Sequence, residues 1–595
     1  MRSSFLIATG LSVAYAQLQS EYDYVICGGG TAGLVLANKL SADLNTQVLV
    51  VEAGANVSPD EPAGQGVETG WAYKSQPQIY AGGQIMDLPA GKILGGSSQI
   101  NGKAYVRPDA SEIDNWGQVN DASWSWEVLF PFYKSSESLS LPSSEQEDAG
   151  NTVNKDFHGF NGPVNTTFPA VGTPNFFNIL EGTAANVSIP RNKDFNGGAA
   201  RGLSTYPGTY RIEGEREQFR ESAREAYYLG IASRKNLEVL AGTSCLRITW
   251  ADGSSGDNVT ASGVEIANSN NLTTVSVRKE VIVSAGSYRS PTILEYSGVG
   301  NPKILANYNI TTKIDLPGVG ENLQDQMQGS ITYSLSNTSN ISFPDAVGNE
   351  ITTNYLMHVT YEDIFGDGAA EIQARVNSSL SAYASTISKR INGSITAEQI
   401  LNSLQVQYDT IFNRRAPAVE LFTNQALTRD SVTLEFWPLQ SLGRGNVHIS
   451  GANAQAAGAQ PIIDHNYFIT DYDWDIYIAA ARWVRRFFAT APLVDSMGEE
   501  TRPGLAKVTQ DASDEEWKAF YQDNFRAGWH AVGSAAMLPR AWGGVVNGDL
   551  QVYGTANVRV CDASVIPFIL GGHPTSTLYA MAERAAELII RGTKG

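Results

Sequence analysis

The sequence predicts an α/β fold, because its first unit is a strand, a glycine turn, a helix and a second strand. Residues 24–27 form a short apolar run typical of a buried parallel strand, and residues 28–33 (GGGTAG) follow it directly. Helical spacing of apolar side chains then extends to Leu40, and residues 48–51 return as a second buried strand. The chain has 595 residues, 42% of them hydrophobic, so we expect at least two globular domains.

The glycine turn has the spacing of a dinucleotide-binding site. In such a turn the first glycine allows a tight bend, the second lets the backbone approach a pyrophosphate, and the third lets helix and strand pack closely. Glu52 follows the second strand roughly twenty residues after the last glycine, where an acidic side chain binds the adenosine ribose. A glycine-rich surface turn is the alternative for the hexapeptide alone, and the unit does not distinguish FAD from NAD.

The N-terminus has the pattern of a secretory signal peptide. Arg2 precedes an apolar run over residues 5–16 that closes on Ala14-Tyr15-Ala16, a cleavage-site pattern. The run is too short to cross a bilayer, so we expect a signal peptide over residues 1–16, no membrane span, and a secreted or lumenal protein. Ten N-x-[ST] sequons agree weakly with a glycoprotein: Asn56, Asn165, Asn186, Asn258, Asn271, Asn309, Asn337, Asn340, Asn377 and Asn392.

The net charge limits the partners that the protein can bind, and the cysteines and four of the histidines indicate whether disulfides and metal sites are expected. A formal net charge of −19 argues against nucleic acid or an anionic membrane as a partner. Each cysteine lies in or beside a strand-like run, so we expect buried free thiols rather than a disulfide at Cys27, Cys245 and Cys561. The spacing of four histidines predicts structural roles and no metal site: His158, His358, His448 and His465.

Four further runs carry a resemblance to a known family. They are residues 91–102 (GKILGGSSQING), 286–300 (GSYRSPTILEYSGVG), 319–325 (VGENLQD) and 558–564 (VRVCDAS). Together they resemble the glucose-methanol-choline (GMC) flavoprotein oxidoreductases over almost the whole chain. Within that family, residues 443–450 (GRGNVHIS) and 559–567 (RVCDASVIP) are most similar to fungal glucose oxidases and FAD-dependent glucose dehydrogenases, although both runs are shared widely.

The resemblance implies two domains, of which the first is discontinuous in sequence. An α/β, Rossmann-like FAD-binding domain would comprise residues 17–105, 235–330 and 546–595. A substrate-binding domain over residues 106–234 and 331–545 would be an α+β unit built on an antiparallel sheet. Local patterns add expected strands over residues 236–248, 275–284 and 432–437, and expected helices over residues 474–488 and 577–591.

The resemblance also implies FAD as the cofactor and which residues contact it. The ADP half would be held by Thr31, Ala32 and Glu52, with the backbone of Cys245 at the adenine. The pyrophosphate and flavin side would be lined by Ser97, Asn101, Gly102 and Ala104. The ribityl chain and the isoalloxazine would be closed over by Asp562, Ala563, Pro574 and Thr575. Residues 91–108 contain no histidine or cysteine for a covalent tether, so we expect non-covalent FAD.

Two histidines lie in glycine-flanked contexts near the C-terminus, His530 and His573. Oxidation of an alcohol by a flavin removes the hydroxyl proton while the C–H hydride moves to flavin N5, and imidazole, with an ordinary pKa of about 6.5, suits the base. The resemblance implies that His530 is the main base and that His573 orients the substrate hydroxyl. It also implies that Glu435, a carboxylate inside an apolar run, hydrogen-bonds His573.

The substrate is left open by one departure from the family pattern. Similar sugar enzymes have an Arg-x-Asn-aromatic-His run whose arginine and asparagine bind sugar hydroxyls. This chain keeps Arg526, but it has Gly528 in place of the asparagine amide and Trp529 as the aromatic residue before His530. Loss of that amide would weaken sugar binding by roughly 1–3 kcal/mol. The alternatives are a sugar oxidised at its anomeric hydroxyl, an aryl alcohol or secondary-metabolite alcohol, and a flavin fold kept only as a binding scaffold. Oxygen or a quinone could be the electron acceptor.

Overall fold

The computed structural model describes residues 18–592, apart from positions 20, 59–66, 121, 170–173, 214–216, 255, 257, 269–270, 342–349, 352–353, 423–426, 429 and 454–459. The expected signal peptide over residues 1–16 lies outside these described residues. Two large hydrophobic cores organise the chain, one around each of two sheets. No helix in the described part of the chain is both long enough and apolar enough to cross a membrane.

The first sheet has seven strands and is parallel around its centre. Its strands lie side by side in the order Leu237–Leu240, Val48–Val51, Glu21–Cys27, Leu272–Val283, Ala261–Ala267 and Ser244–Trp250, with Val558–Val560 also paired to Leu272–Val283. Antiparallel pairing is confined to the last three of that order. The expected strand over residues 275–284 is confirmed, but that over residues 236–248 is two strands, separated by a turn with a positive φ at Gly242.

The expectation of three free thiols is wrong, because Cys27 and Cys245 form a disulfide; Cys561 is free and buried. Cys27 ends a central strand. Past strand Leu237–Leu240 the backbone N–H groups of Gly242 and Thr243 donate to the carbonyls of Gly54 and Glu52. That path carries Cys245 across the carboxyl ends of the strands, to a Cα–Cα distance of 5.6 Å from Cys27. The two residues are 218 positions apart, so local sequence did not reveal the pairing.

The second sheet has nine strands, and all its pairings are antiparallel. Its order is Glu350–Ile351, Leu427–Thr428, Ser431–Pro438, Val419–Phe422, Tyr355–Val359 and Gly202–Thr205. Met327–Leu335 pairs with Ser431–Pro438 and with two short strands, Met497–Arg502 and Arg526–Ala527. The expected domain boundary at residue 330 therefore falls inside one strand.

Smaller elements complete the fold. Two-stranded pairs join Gly70–Lys74 to Asp87–Gly91, Glu137–Leu139 to Val164–Thr166, Tyr210–Glu213 to Glu217–Arg220, Val299–Gly300 to Ile314–Asp315, and Asn446–His448 to Ile462–Asp464. The α-helices are Thr31–Leu40, Ala110–Val119, Trp126–Ser136, Ser144–Asp148, Pro174–Asn186, Ser290–Tyr296, Pro302–Asn307, Tyr361–Phe365, Ala369–Arg390, Ala397–Tyr408, Asp471–Phe488, Asp514–Gln522 and Thr575–Gly592. Both expected helices are confirmed within Asp471–Phe488 and Thr575–Gly592. The latter packs on Thr31–Leu40, which brings the end of the chain to the glycine turn.

Candidate active site

The glycine turn is shaped by close backbone contacts that exclude side chains. Gly28 has φ of +112°, and a Cβ there would lie 2.3 Å from the carbonyl oxygen of Ser284. A Cβ on Gly96 would lie 2.7 Å from the Cα of Gly30. The glycine turn and the loop over residues 95–98 (GGSS) therefore pack against each other with no side chain between them. The site that they form is lined by backbone and fits a pyrophosphate.

Glu52 ties the glycine turn to the end of the second strand. Its Oε2 accepts a hydrogen bond from the Gly29 N–H at 2.9 Å, and its Oε1 accepts one from the Gly54 N–H at 2.7 Å. Burial raises the pKa of this carboxyl group to about 7, although both backbone donors oppose the shift. Its place beside the turn fits a ribose-binding carboxylate.

A cavity of about 460 Å³ joins the glycine turn to the C-terminal histidines. Its wall includes all the expected cofactor contacts: Thr31, Ala32, Glu52, Ser97, Asn101, Gly102, Ala104, Cys245, Asp562, Ala563, Pro574 and Thr575. It also includes all the expected catalytic and substrate residues: His530, His573, Glu435, Arg526 and Trp529. The residues present therefore fit an elongated dinucleotide cofactor that ends near the two imidazoles.

Asp562 joins two of the sequence motifs at this cavity. Its Oδ2 accepts hydrogen bonds from the Gly286 N–H at 2.8 Å and from the Ser290 hydroxyl, while its Oδ1 accepts from Ser564. Burial raises the pKa of the Asp562 carboxyl group above its ordinary value. The Asp562 carboxylate is thus hydrogen-bonded within the protein and also lines the cavity.

The rings of His530 and His573 lie next to each other in the wall of this cavity, edge to face. Their centroids are 5.0 Å apart, and the ring planes are inclined by 82°. Nδ1 of His530 lies 2.8 Å from Oε1 of Gln326, whose amide nitrogen donates to the Leu570 carbonyl at 2.9 Å. Because that donation orients the amide, Oε1 is the atom that faces His530. His530 therefore carries its proton on Nδ1 and has an unprotonated Nε2.

His530 is a neutral imidazole at ordinary pH. Burial lowers its pKa to about 3, and the neighbouring His573 acts in the same direction. A neutral ring can accept a proton, which is the first requirement for a general base.

The structure corrects the predicted partner of His573. Oε1 of Glu420, not of Glu435, lies 3.2 Å from Nε2 of His573. Glu435 instead accepts a hydrogen bond from Arg526 at 2.9 Å. Glu420 is opposite Trp437 in the sheet, whereas Glu435 is two cross-strand pairs further along, opposite Phe422. The sequence pattern identified the strand with Glu435 but could not show that the neighbouring strand places a carboxylate nearer to the imidazole.

Two aromatic side chains that sequence reasoning missed enclose the histidines. The ring of Trp437 is 5.2 Å from that of His530 and 5.6 Å from that of His573, and Phe422 is 5.3 Å from His573. Both aromatic residues line the cavity. Phe422 and Trp437 point into it because alternate residues of paired strands share a face.

Arg526 and Trp529 lie at the more exposed part of the cavity wall. The Arg526 side chain is exposed apart from its ion pair with Glu435. Trp529 is 50% exposed, and its indole N–H donates to the carbonyl of Asp87 at 3.0 Å. The structure therefore brings both predicted substrate residues to the cavity.

The remaining four histidines are buried in hydrogen-bonded settings. His158 lies between Glu137 and Asp194, His448 between Glu295 and Glu321, His465 beside Tyr288, and His358 beside Glu420. Among the residues that the structure describes, no group of three or more histidine, cysteine, aspartate or glutamate side chains could hold a metal ion.

A glycine turn of the dinucleotide type and a cavity that reaches two imidazoles define the class, a nucleotide-dependent oxidoreductase. Two family models described as GMC oxidoreductase match residues 22–328 and 441–582. The "Glucose oxidase-like protein fsoC" of Humicola fuscoatra is 36% identical over 96% of this chain and 95% of its own length. Glucose oxidase of Penicillium chrysogenum is 30% identical over 96% of this chain and 92% of its own.

A solved structure of a fungal aryl-alcohol oxidase superposes with a TM-score of 0.84 at 27% identity, covering 97% of this chain and all of that one. The chain therefore belongs to the GMC oxidoreductase family, with that family's FAD-binding and substrate domains. It is an oxidoreductase that acts on CH–OH donors. This confirms the resemblance found in the sequence.

Proposed function

We propose that the protein oxidises an alcohol to a carbonyl compound or lactone, with His530 as the base and FAD as the hydride acceptor. The observation that carries the proposal is the cavity that joins the dinucleotide turn to the adjacent rings of His530 and His573. Flavin bound there would supply the acceptor for the hydride. A binding scaffold without catalysis would have no use for two adjacent imidazoles at this place.

The protein's part in the reaction follows from the two histidines and their partners. Nε2 of His530, unprotonated because Nδ1–H is engaged by Gln326, accepts the hydroxyl proton. His573, beside Glu420, hydrogen-bonds the same hydroxyl and fixes its direction. Trp437 and Phe422 exclude water from the reacting carbon, which strengthens both polar contacts.

The cofactor and its roles complete the proposal. FAD binds non-covalently, because residues 91–108 offer no histidine or cysteine as a tether. Glu52 holds the ribose, and the segments 17–105, 235–330 and 546–595 form the FAD-binding domain around it. Oxygen or a quinone would be the final electron acceptor, and the protein works in the secretory pathway or outside the cell.

An aryl alcohol or a similarly apolar secondary-metabolite alcohol is the substrate class that the cavity supports best. Trp437, Phe422 and Trp529 give it aromatic walls, and Gly528 supplies no amide for a sugar hydroxyl. The aryl-alcohol oxidase with the same fold supports this choice.

A sugar is the second candidate. Arg526 and Glu435 offer donors and acceptors in one ion pair at the cavity wall, as a polyhydroxylated substrate would need. The relatives named as glucose oxidases support this alternative.

Anaerobic flavin bleaching tests both candidates. Purified holoenzyme is mixed with substituted benzyl alcohols or with sugars, and flavin absorbance is followed before and after air is admitted. We expect bleaching by aryl alcohols at lower concentration than by any sugar, and rapid recovery in air would identify an oxidase. Acid precipitation should release all the FAD. A flavin that no alcohol bleaches would overturn the proposal.

A further inference from the structure

His358, Glu420 and His573 form a row that leads away from the cavity. His358 lies in strand Tyr355–Val359, directly opposite Glu420 in the register of the sheet. Its Nε2 is 2.9 Å from Oε2 of Glu420, and the other carboxylate oxygen, Oε1, is 3.2 Å from Nε2 of His573. Each oxygen of one buried carboxylate therefore faces a different imidazole.

The surroundings of His358 indicate which of its nitrogens carries the proton. The side chain is 1% exposed, its ring stacks on Phe195 with centroids 5.0 Å apart, and Nδ1 has no hydrogen-bond partner among the described residues. A proton on Nδ1 would be a buried donor without an acceptor, and a doubly protonated ring would add a buried charge to it. A neutral ring protonated only on Nε2 avoids both penalties and donates to Glu420.

We propose that His358 is a positioning residue for the alcohol oxidation: as a neutral donor it holds Oε2 of Glu420, so that the other carboxylate oxygen, Oε1, stays directed at His573. This inference rests on the proposed function. His358 touches neither the cavity nor a reacting atom, and it acts through Glu420.

Glu420 is buried, and its two histidine neighbours are the reason that its carboxylate stays ionised. Burial alone would raise the pKa of Glu420, but the neighbouring His573 and the hydrogen bond from His358 hold it well below its ordinary value. The other titratable groups that influence Glu420 or its partners are His530, Glu435 and Tyr206, and Arg526 pairs with Glu435. Without the donor at Oε2, Glu420 would take up a proton at a higher pH and would lose its influence on His573.

Two matched variants of the holoenzyme test this role. His358→Phe keeps the ring but removes the donor, while His358→Gln keeps a neutral amide donor. In His358→Phe we expect the acid-side fall of the flavin-reduction rate to move up by about one pH unit, so that the rate on that limb is about tenfold lower, with KM changed less than twofold. His358→Gln should restore the wild-type profile. Equal profiles in His358→Phe and wild type, or equal losses in both variants, would overturn the proposal.

A second measurement needs no turnover. The chain has six histidines, so nitrogen-isotope labelling of histidine gives the signals of six rings, and His573→Asn and His358→Gln assign two of these rings. At pH 7 the His358 ring should show the nitrogen shifts of the tautomer protonated on Nε2. An imidazolium, or a proton on Nδ1, contradicts the inference. If no alcohol reduces the wild-type flavin, the proposed function fails while this spectrum still decides the state of His358.

Discussion

Asp325 decides where His530 sits, although it is not among the side chains that line the cavity. Its carboxylate accepts hydrogen bonds from the backbone N–H groups of Gln326, Trp529 and His530 and from the hydroxyl of Tyr467. Trp529 has φ of +62°, a conformation that non-glycine residues rarely adopt, and the Asp325 bonds hold the loop in it. Burial raises the pKa of Asp325 to about 6.

At this scale, replacement of the base is the decisive change. His530→Ala should lower the rate of flavin reduction by about 10²-fold or more, because the group assigned to take the hydroxyl proton is removed. The measurement is single-turnover flavin reduction under anaerobic conditions. An unchanged FAD absorbance spectrum is the control for correct folding, and an unchanged reduction rate would remove His530 from its assigned role.

At the scale of elements, two paired strands furnish the wall of the cavity opposite the flavin-binding motifs. Val419–Phe422 contributes Phe422, and Ser431–Pro438 contributes Glu435 and Trp437; Glu420, on the same face, lies beside His573. The period of two along each strand puts all four side chains on one face, and the register sets their neighbours. The catalytic candidates therefore depend on a strand pairing and not on one motif.

The two glutamates of these strands make a matched pair of variants. Glu420→Gln should reduce kcat for flavin reduction by about tenfold or more, because His573 loses the charge beside it. Glu435→Gln, which leaves that contact intact but weakens the ion pair with Arg526, should change KM more than kcat. The comparison uses stopped-flow reduction with one alcohol. The opposite ranking would return Glu435 to the role predicted from the sequence.

At the scale of the whole molecule, distant motifs are joined by buried polar contacts. His448, in the GRGNVHIS run, lies between Glu295 of the second family signature and Glu321 of the VGENLQD run. Burial alone would lower its pKa, but these two carboxylates raise it to about 10. These runs are thus tied to one another, and two of them, residues 319–325 and 443–450, help to hold the fold without lining the cavity.

The disulfide should contribute to global stability. Cys27→Ala with Cys245→Ala should lower the free energy of unfolding by about 2–4 kcal/mol, because the crosslink closes a long loop in the unfolded chain. Thermal unfolding of the oxidised proteins measures the effect, with Cys561→Ala as the control that keeps the crosslink. Thiol titration of the denatured, unreduced protein should find one free thiol; three would contradict the pairing.

A buried histidine between two carboxylates should make stability depend on pH. Burial alone would lower the pKa of His158, but Asp194 and Glu137 raise it to about 9, above the roughly 6.5 of an unfolded chain. The folded state therefore binds this proton more tightly, so the stabilisation is complete below pH 6.5 and is lost as pH rises through 9. It amounts to something on the order of 3 kcal/mol. Unfolding of wild type and His158→Gln between pH 6 and 9.5 should show a smaller pH dependence in the variant.

Local sequence determined the strand–turn–helix unit, the histidine pair and the motifs of the family, because each of these is carried by neighbouring residues with a physical period or spacing. The residues named from motifs come together in the cavity wall. Their individual roles stay predictions until the variants are measured.

Tertiary structure alone decided the partner of His573, the disulfide and the place of His358. Each depends on contacts between segments far apart in the chain: Glu420 with His573, Cys27 with Cys245, and His358 with Glu420. A carboxylate in an apolar strand looks the same in sequence whether it faces an imidazole or an arginine. Only the register of the neighbouring strand separates these cases, because it fixes which side chains share a face and at what distance.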